Sequence, residues 1–150
     1  MLFLLTAAWS LTFPVLAELN LLDERIHLPD DIVDKAVVLF SYSESQQGLM
    51  DGWSGQLMRA KVQYFEIPLM GEVGPMIAAG MTVGMRAGRD REREAVTIPI
   101  FNEPPQWKQT FGTDGEQLDV FVVSKSGAVK LHERGAWDDA KLKKVVAAVQ

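Results

Sequence analysis

The sequence predicts an α/β domain with a mixed central sheet, and three observations support this fold class. A continuously apolar run at 36–42 leads directly into a helical pattern, which is typical of a buried strand followed by a helix. Strand and helix patterns then alternate, and right-handed crossovers place such strands parallel to one another. A hairpin pattern at 118–130 adds antiparallel strands, and an amphipathic helix follows it.

The composition excludes several classes of function. The 150 residues are 47% hydrophobic, which is sufficient for one core, and the net charge of -5 argues against a nucleic-acid or anionic-membrane partner. The sequence contains no cysteine, so disulfides, thiolate metal sites, iron–sulfur clusters and cysteine nucleophiles are excluded. Thiol-dependent redox activity is therefore not available to this chain.

The chain begins with an uncharged and mostly apolar segment. Its apolar part, 2–13, is too short for a membrane-spanning helix, which needs about 20 residues. Val15 and Ala17 have the spacing of a signal-peptide cleavage site. We expect 1–17 to be a signal peptide, which leaves 18–150 as one domain, without a membrane span, in a periplasmic or otherwise exported compartment. The alternative is an N-terminal strand or helix packed on the core.

The turn after the first main strand is where we expect a binding site. At Ser43–Gln46 the spacing of serine and glutamine fits a capping box at the start of a helix. Backbone amides at such a helix start can bind an anion or a carboxylate. The alternative is that the turn serves only to cap the helix. The candidate binding residues are Tyr42, Ser43, Glu44, Ser45, Gln46 and Trp53.

The next elements follow from the spacing of apolar residues. Residues 25–28 form a short predicted strand, and 61–68 form the second main strand. The predicted helix at 72–86 is apolar on every side in its centre, so it is either buried or a contact surface. Basic and acidic residues alternate at 88–94, which is typical of a solvated loop.

The C-terminal half is predicted from its turn residues. Pro99 places the third strand, 95–101, at a sheet edge or ends it. A short helix is expected up to Gly112, and the hairpin turns at 124–127. The last helix begins at Asp138. Its predicted buried stripe is Leu142, Val145, Val146 and Val149.

Residues with catalytic or metal-binding chemistry are sparse. His27 and His132 are predicted to be solvated, and neither is adjacent in sequence to Ser43, so a catalytic triad is not indicated. No pair of carboxylates has a spacing that requires shared acid–base chemistry. We therefore predict no catalytic residue, no metal ligand and no cofactor.

Four methionines invite a copper(I) interpretation, because thioethers bind soft metal ions. They are Met70, Met76, Met81 and Met85. Neither a histidine nor a cysteine accompanies them, and methionine also fills irregular cores and adaptable interfaces. We interpret the group as core or as a partner surface.

The order of the elements resembles the thioredoxin-like superfamily, in particular its exported thiol reductases and peroxiredoxins. The resemblance covers about 16–149 and is carried by FSY at 40–42, IPIFNEPPQWKQTFG at 98–112 and LDVFVVSKSGAVKLHERG at 118–135. It implies a three-layer sandwich with a mixed central sheet, a C-terminal hairpin and a helix. The family's reactive cysteines would fall at or just after Ser43–Gln46, where none is present, so the resemblance implies the scaffold without the redox activity. The family's cis-proline, expected near 117–118, is also missing.

A looser likeness, through the Trp53 region, YFEIP at 64–68 and GMR at 84–86, is to thioredoxin-like assembly factors of mitochondrial ATP synthase. These resemblances imply a non-redox factor that binds a protein or peptide and acts in binding, assembly or as a chaperone. The alternative is an enzyme or small-molecule binder that uses hydroxyl and carboxylate groups near Ser43. A deep pocket beside Ser43 would favour that alternative. The sequence does not define the oligomeric state.

Overall fold

The computed structural model describes residues 11–150, which form a four-stranded sheet with helices on both faces and a separate two-stranded sheet. The strands are β1 (Leu16–Leu19), β2 (Arg25–Leu28), β3 (Lys35–Ser41), β4 (Tyr64–Pro68), β5 (Asp119–Ser124) and β6 (Val129–Arg134). The helices are α1 (Gln47–Ala60), α2 (Pro75–Ala87), α3 (Arg91–Val96), α4 (Gln106–Phe111) and α5 (Asp139–Val149).

β3 is the inner strand on which the main sheet is built. It pairs with β4 in parallel and with β5 in antiparallel orientation, and β6 completes the order β4-β3-β5-β6. All of its residues except Lys35 are buried, as expected for a strand covered on both faces. The predicted strand at 36–42 and the predicted mixed sheet are confirmed.

Alternate residues of β3 enter two separate cores, because successive side chains of a strand point to opposite faces. Val38 and Phe40 enter the first core, whereas Val37 and Leu39 enter the second. The first core also contains Phe13, Phe65, Ile98, Phe111 and Phe121. The second also contains Met50, Trp53, Leu57, Leu118 and Val145. The sheet is therefore the middle of three layers.

The C-terminal elements form as their turn residues predict. α4 ends at Gly112, whose φ of 64° is left-handed, and the hairpin turn contains Gly127 at a φ of 89°. The carboxylate of Asp138 caps α5 by accepting a hydrogen bond from the backbone amide of Lys141. Of the predicted stripe of α5, only Val145 is fully buried, and the other three residues are half-buried.

Two predicted boundaries around β4 are wrong. α1 continues to Ala60 and ends on Lys61, which adopts a left-handed φ of 55°, so the strand begins at Tyr64 rather than at residue 61. Residues 95–101 do not form a full third strand, because α3 extends to Val96. Beyond it, only single bridges join the segment to the edge of β4.

The predicted solvated loop at 88–94 is also wrong. Asp90 accepts a hydrogen bond from the backbone amide of Arg93 and caps α3, a helix that the sequence analysis did not predict. Arg93 and Arg89 then extend toward Glu66 on β4. The alternating charges belong to a helix that packs against the sheet.

The segment 11–17 packs on the domain. Phe13 is 1% exposed, and its ring centroid lies 6.0 Å from that of Phe40 and 5.7 Å from that of Phe111. β1 begins at Leu16 and pairs with β2. This arrangement corresponds to the alternative interpretation of the N-terminus. Residues 1–10 of the predicted signal peptide lie outside the described residues, and cleavage near Ala17 stays a prediction.

α2 lies at the surface and buries none of its residues fully. Met76, Ile77 and Val83 are 90%, 60% and 63% exposed. The sequence left two interpretations of this apolar helix, a buried helix or a contact surface, and its high exposure agrees with a contact surface. Within residues 11–150, every helix is too short or too polar to traverse a bilayer.

We predict that Phe13→Ala lowers the free energy of unfolding by about 3–5 kcal/mol, because it leaves a cavity among the aromatic rings of the first core. Val15→Ala is the matched control, since Val15 is 81% exposed, and it should change stability by less than about 0.5 kcal/mol. Urea denaturation of both variants measures the difference. Equal stabilities would show that 11–17 is not part of the folded core.

Candidate functional site

A cleft of about 650 Å³ opens where β3 and β4 end, beside the turn Tyr42–Gln47. The carboxyl ends of parallel strands are where α/β folds place their sites. The polar residues that line it are Ser41, Tyr42, Ser43, Glu44, Gln47, Asp51, Arg89 and Arg93. The remaining lining residues are Pro68, Leu69, Met70, Met81, Gly84, Met85 and Gly88.

The turn itself begins with a short 3-10 helix, Glu44–Gln46. The Ser43 hydroxyl makes no cap hydrogen bond and instead lies 2.8 Å from the Ser45 hydroxyl. Gln46 reaches back to the backbone amide of Tyr42, at 2.7 Å, rather than to that of Ser43. The predicted capping box is therefore wrong, although its glutamine still closes the turn.

The structure separates the candidate binding residues into two groups. Tyr42, Ser43 and Glu44 line the cleft, and Ser45 is exposed beside it. Gln46 is 5% exposed, and Trp53 is completely buried, with its indole nitrogen donating to the Gly135 carbonyl at 2.8 Å. The assignment of Trp53 to a binding surface is corrected, since it belongs to the second core.

A fully buried carboxylate, Glu66 on β4, lies behind the cleft. Its oxygens accept hydrogen bonds from Arg93 at 2.6, 3.0 and 3.1 Å, from the Thr97 hydroxyl at 2.7 Å and from the Ser54 hydroxyl. A buried charge requires that its oxygens be hydrogen-bonded in this way. Burial opposes the charge of Arg93, but the hydrogen bonds and charge of Glu66 raise the pKa of that guanidinium overall.

Asp51 on α1 adds a second, half-exposed carboxylate to Arg93, at 2.5 Å. Burial acts to raise the pKa of Asp51, but hydrogen bonds from Arg93 and Gln47 lower it overall. Arg93 therefore joins α1, β4 and α3 at the base of the cleft.

Arg89 has a different environment, although it lies beside the same carboxylate. Its side chain is 7% exposed, and its Nε is 3.8 Å from Glu66 Oε2 without a hydrogen-bond partner. Nη1 donates to the Met85 carbonyl at 3.1 Å, and Nη2 donates to Gln47 Oε1 at 3.3 Å. Burial lowers the pKa of this guanidinium, and the charge of Glu66 only partly opposes that effect.

A second buried carboxylate, Asp119 at the start of β5, holds the turn from its other side. It accepts from the Tyr42 hydroxyl at 2.6 Å, from Thr113, and from Arg134 at 3.1 Å, and it pairs with His132 Nε2 at 2.6 Å. Burial acts to raise the pKa of Asp119, but these hydrogen bonds lower it overall. Burial, followed by the bond to Asp119, raises the pKa of Tyr42.

The two histidines differ from each other. His27 is exposed, as predicted. His132 is not simply a solvated strand end, because it is bound to Asp119 and stacked on Phe121, with ring centroids 4.3 Å apart. Its hydrogen bond goes to Asp119 and not to Ser43, so these residues are not arranged as a serine triad.

The methionines that suggested copper(I) divide between two places. Met70, Met81 and Met85 line the cleft, whereas Met76 projects from α2 into solvent. In 11–150, histidine, aspartate and glutamate side chains do not form a group of three that could hold a metal ion.

Comparison with known proteins identifies the fold. No family model and no curated protein matches the chain. Many solved structures do match. One is BsSco, of the Sco family of cytochrome c oxidase assembly proteins, at a TM-score of 0.64 and 12% identity, over 94% of this chain and 95% of that one. Another is the pneumococcal exposed lipoprotein thioredoxin of Streptococcus pneumoniae, at a TM-score of 0.62 and 10% identity, over 89% of this chain and 98% of that one. A third is StoA of Bacillus subtilis, at a TM-score of 0.60 and 7% identity, over 93% of this chain and 99% of that one. The predicted thioredoxin-like fold is confirmed, in a chain without cysteine.

We predict that Arg93→Ala lowers the free energy of unfolding by about 3–5 kcal/mol, because it leaves the Glu66 charge buried without its main partner. Arg91→Ala, in the same helix but at an exposed position, should cost less than about 0.5 kcal/mol. Chemical denaturation compares the two variants. A small effect of Arg93→Ala would mean that Glu66 is not held as an ion.

We predict that the stabilising effect of Asp119 is lost in acid. Its pKa is lower in the folded state than in the unfolded chain, so its contribution is complete above the unfolded pKa of about 3.9 and disappears as the pH falls through the folded value. Asp119→Asn should therefore be less stable than the unmodified protein at about pH 6, by about 1–3 kcal/mol, and the difference should shrink toward about pH 2.

The measurement for Asp119 is a series of denaturation curves across that pH range. Asp30→Asn, at an exposed position, is the control and should leave the pH profile unchanged. A stability difference between the Asp119 variant and the unmodified protein that did not vary with pH would contradict the prediction.

Proposed function

We propose that this chain is a non-redox, thioredoxin-fold protein that binds a segment of another polypeptide in the cleft, as a binding or assembly/chaperone-type factor. One observation carries the proposal. The turn where the resemblance would place reactive cysteines borders a preformed cleft lined by methionine, leucine and proline. The position thus retains a place for a ligand although it has no thiol chemistry.

The apolar walls suit a polypeptide ligand. Met81 and Met85 on α2 line the cleft, as do Leu69 and Met70 from the loop after β4. Methionine is flexible and polarisable, so surfaces rich in it adapt to side chains of different shape. α2 also presents Met76, among others, to solvent, outside the cleft.

Two glycines of the cleft support the same interpretation. Gly84 and Gly88 line it, and a Cβ atom built on either would meet no atom within 4 Å. Internal packing therefore does not require glycine at these positions, and within a helix glycine costs about 1 kcal/mol relative to alanine. Because glycine has no side chain, the space beside these two positions remains open volume in the cleft.

An assembly role is consistent with one of the structural neighbours. BsSco is described as a member of a family of cytochrome c oxidase assembly proteins, and its fold is shared over nearly the full length of both chains. The net charge of -5 favours a protein over a nucleic acid as the partner.

We include export in the proposal, with 1–17 as the signal peptide. The uncharged sequence of that segment supports it, whereas the burial of Phe13 in the first core favours the alternative. Mass spectrometry of the mature protein tests it: a chain that begins near Glu18 supports cleavage, and a chain that retains Phe13 supports the alternative in which the segment is part of the core.

A second candidate function, a small-molecule binder, is favoured by the volume of the cleft. About 650 Å³ lies within the range of ligand pockets, and the Ser43 side chain provides a hydroxyl group at its edge. An enzyme is less well supported, because His132 and Asp119 hold the back of the turn and are not among the residues that line the cleft.

We predict that Gly84→Leu weakens peptide binding, because the new side chain occupies volume in the cleft. The probe is an array of short peptides, and affinity for the peptides that bind should fall about ten-fold or more. Gly80→Leu is the matched control: it lies in the same helix, also has free space around it, and does not line the cleft. Its affinity should be unchanged.

Both leucine substitutions should raise the free energy of unfolding by about 0.5–1 kcal/mol, since each replaces a glycine inside a helix. A loss of binding at Gly84 then cannot be attributed to loss of folding. If no peptide binds the unmodified protein, or if both variants bind equally well, the polypeptide function fails.

A further inference from the structure

We propose that the group bound in the cleft is a carboxylate joined to an apolar moiety, and that Arg89 is the residue that binds it. This inference rests on the proposed function, since it concerns the same cleft. It adds the chemistry of the ligand, which neither the fold nor the comparisons define.

The first argument is that the Arg89 guanidinium has unmet hydrogen-bonding capacity. Its side chain is 7% exposed, yet Nε has no acceptor, and the bond from Nη2 to Gln47 is long, at 3.3 Å. Buried polar atoms in proteins are nearly always paired, so an unpaired guanidinium nitrogen beside a cleft points to an acceptor supplied from outside.

The second argument is that Glu66 does not provide this acceptor. Both of its oxygens already accept hydrogen bonds, chiefly from Arg93 at 2.6–3.1 Å, whereas Arg89 remains at 3.8 Å. Asp51 is likewise engaged with Arg93. Two guanidinium groups thus lie beside one fully buried carboxylate, and Arg89 is the one whose Nε has no hydrogen bond to it.

The third argument is geometric. Nε and Nη2 lie on one edge of the planar guanidinium, and that edge matches the two oxygens of a carboxylate. Gln47 is only half-buried, and its side-chain nitrogen has a separate bond to Asp51 at 2.8 Å. The glutamine oxygen can therefore be displaced by a charged acceptor, which binds a guanidinium more strongly than a neutral amide does.

Two carboxylates of the cleft oppose an anion, and both lie toward solvent. Glu44 is exposed on the turn, and the Asp51 side chain is 50% exposed. Solvent and salt screen exposed charges, whereas Arg89 acts from a buried position. The apolar part of the ligand would then contact Met81, Met85 and Leu69.

The carboxylate has two possible sources, and they are tested in parallel. Peptides that bind on the array are resynthesised with each acidic residue replaced by its amide and with an amidated C-terminus. Decanoate is compared with decanol as a small apolar acid and its neutral counterpart. Isothermal titration calorimetry is expected to show a loss of about ten-fold or more in affinity when the carboxylate is removed.

Variants of the protein give the second half of the test. Arg89→Met keeps most of the aliphatic stem and removes the charge, so affinity for the acidic form should fall to that of the neutral form. Arg89→Lys keeps the charge without the planar edge and should retain part of the affinity. Arg91→Met, at an exposed position of α3, is the control. Denaturation curves check that each variant is folded, and the ligand comparison on the unmodified protein needs no variant.

The outcomes separate this inference from the proposed function. If peptides bind equally well as acids and as amides, the result supports polypeptide binding and overturns the inference that the ligand binds through a carboxylate. If decanoate binds through Arg89 while no peptide binds, the result supports carboxylate binding and overturns the proposed polypeptide-binding function. Acidic ligands whose affinity is unchanged by Arg89→Met overturn Arg89 as their binding residue.

Discussion

The burial of one carboxylate, Glu66, determines the arrangement around the cleft. An ion inside a sheet must be neutralised and fully hydrogen-bonded, and its partners come from three elements: Ser54 on α1, Arg93 on α3, and Thr97 just beyond it. Because these groups must meet at one point, α3 is held against β4 and the middle of α1. Arg89 lies at the base of the cleft beside this ion cluster, with its Nε 3.8 Å from Glu66 and without a hydrogen-bond partner.

Asp119 stabilises the turn by hydrogen bonds, as Glu66 stabilises the base of the cleft. Its bond to the Tyr42 hydroxyl joins the residue before Ser43 to the hairpin, through a carboxylate that also binds Thr113 and His132. Two buried acids therefore fix the cleft from opposite sides. A site held in this way is formed before a ligand arrives, so binding does not have to order the turn.

Local patterns predicted the fold better than they predicted the site. The apolar run of β3 and the hairpin turn at Gly127 depend on neighbouring residues, and both appear where expected, whereas only Val145 of the predicted stripe of α5 is fully buried. Arg93 pairs with a residue 27 positions away, and an alternating charge pattern looks the same whether it is solvated or paired across the fold. Trp53 was predicted to be a binding residue, but its side chain is completely buried in the second core.

The position of α2 has a consequence for motion. Its C-terminal end is fastened by Arg86, which donates to the Leu21 carbonyl at 2.7 Å and pairs with Asp23 at 2.8 Å. Before its N-terminal end, the backbone amide of Val73 donates to Asn102. Between these two attachments no side chain is fully buried, so little free energy opposes outward bowing of the helix. Amide hydrogens of α2 should exchange with solvent long before those of β3, and the width of the opening can change while the sheet stays intact.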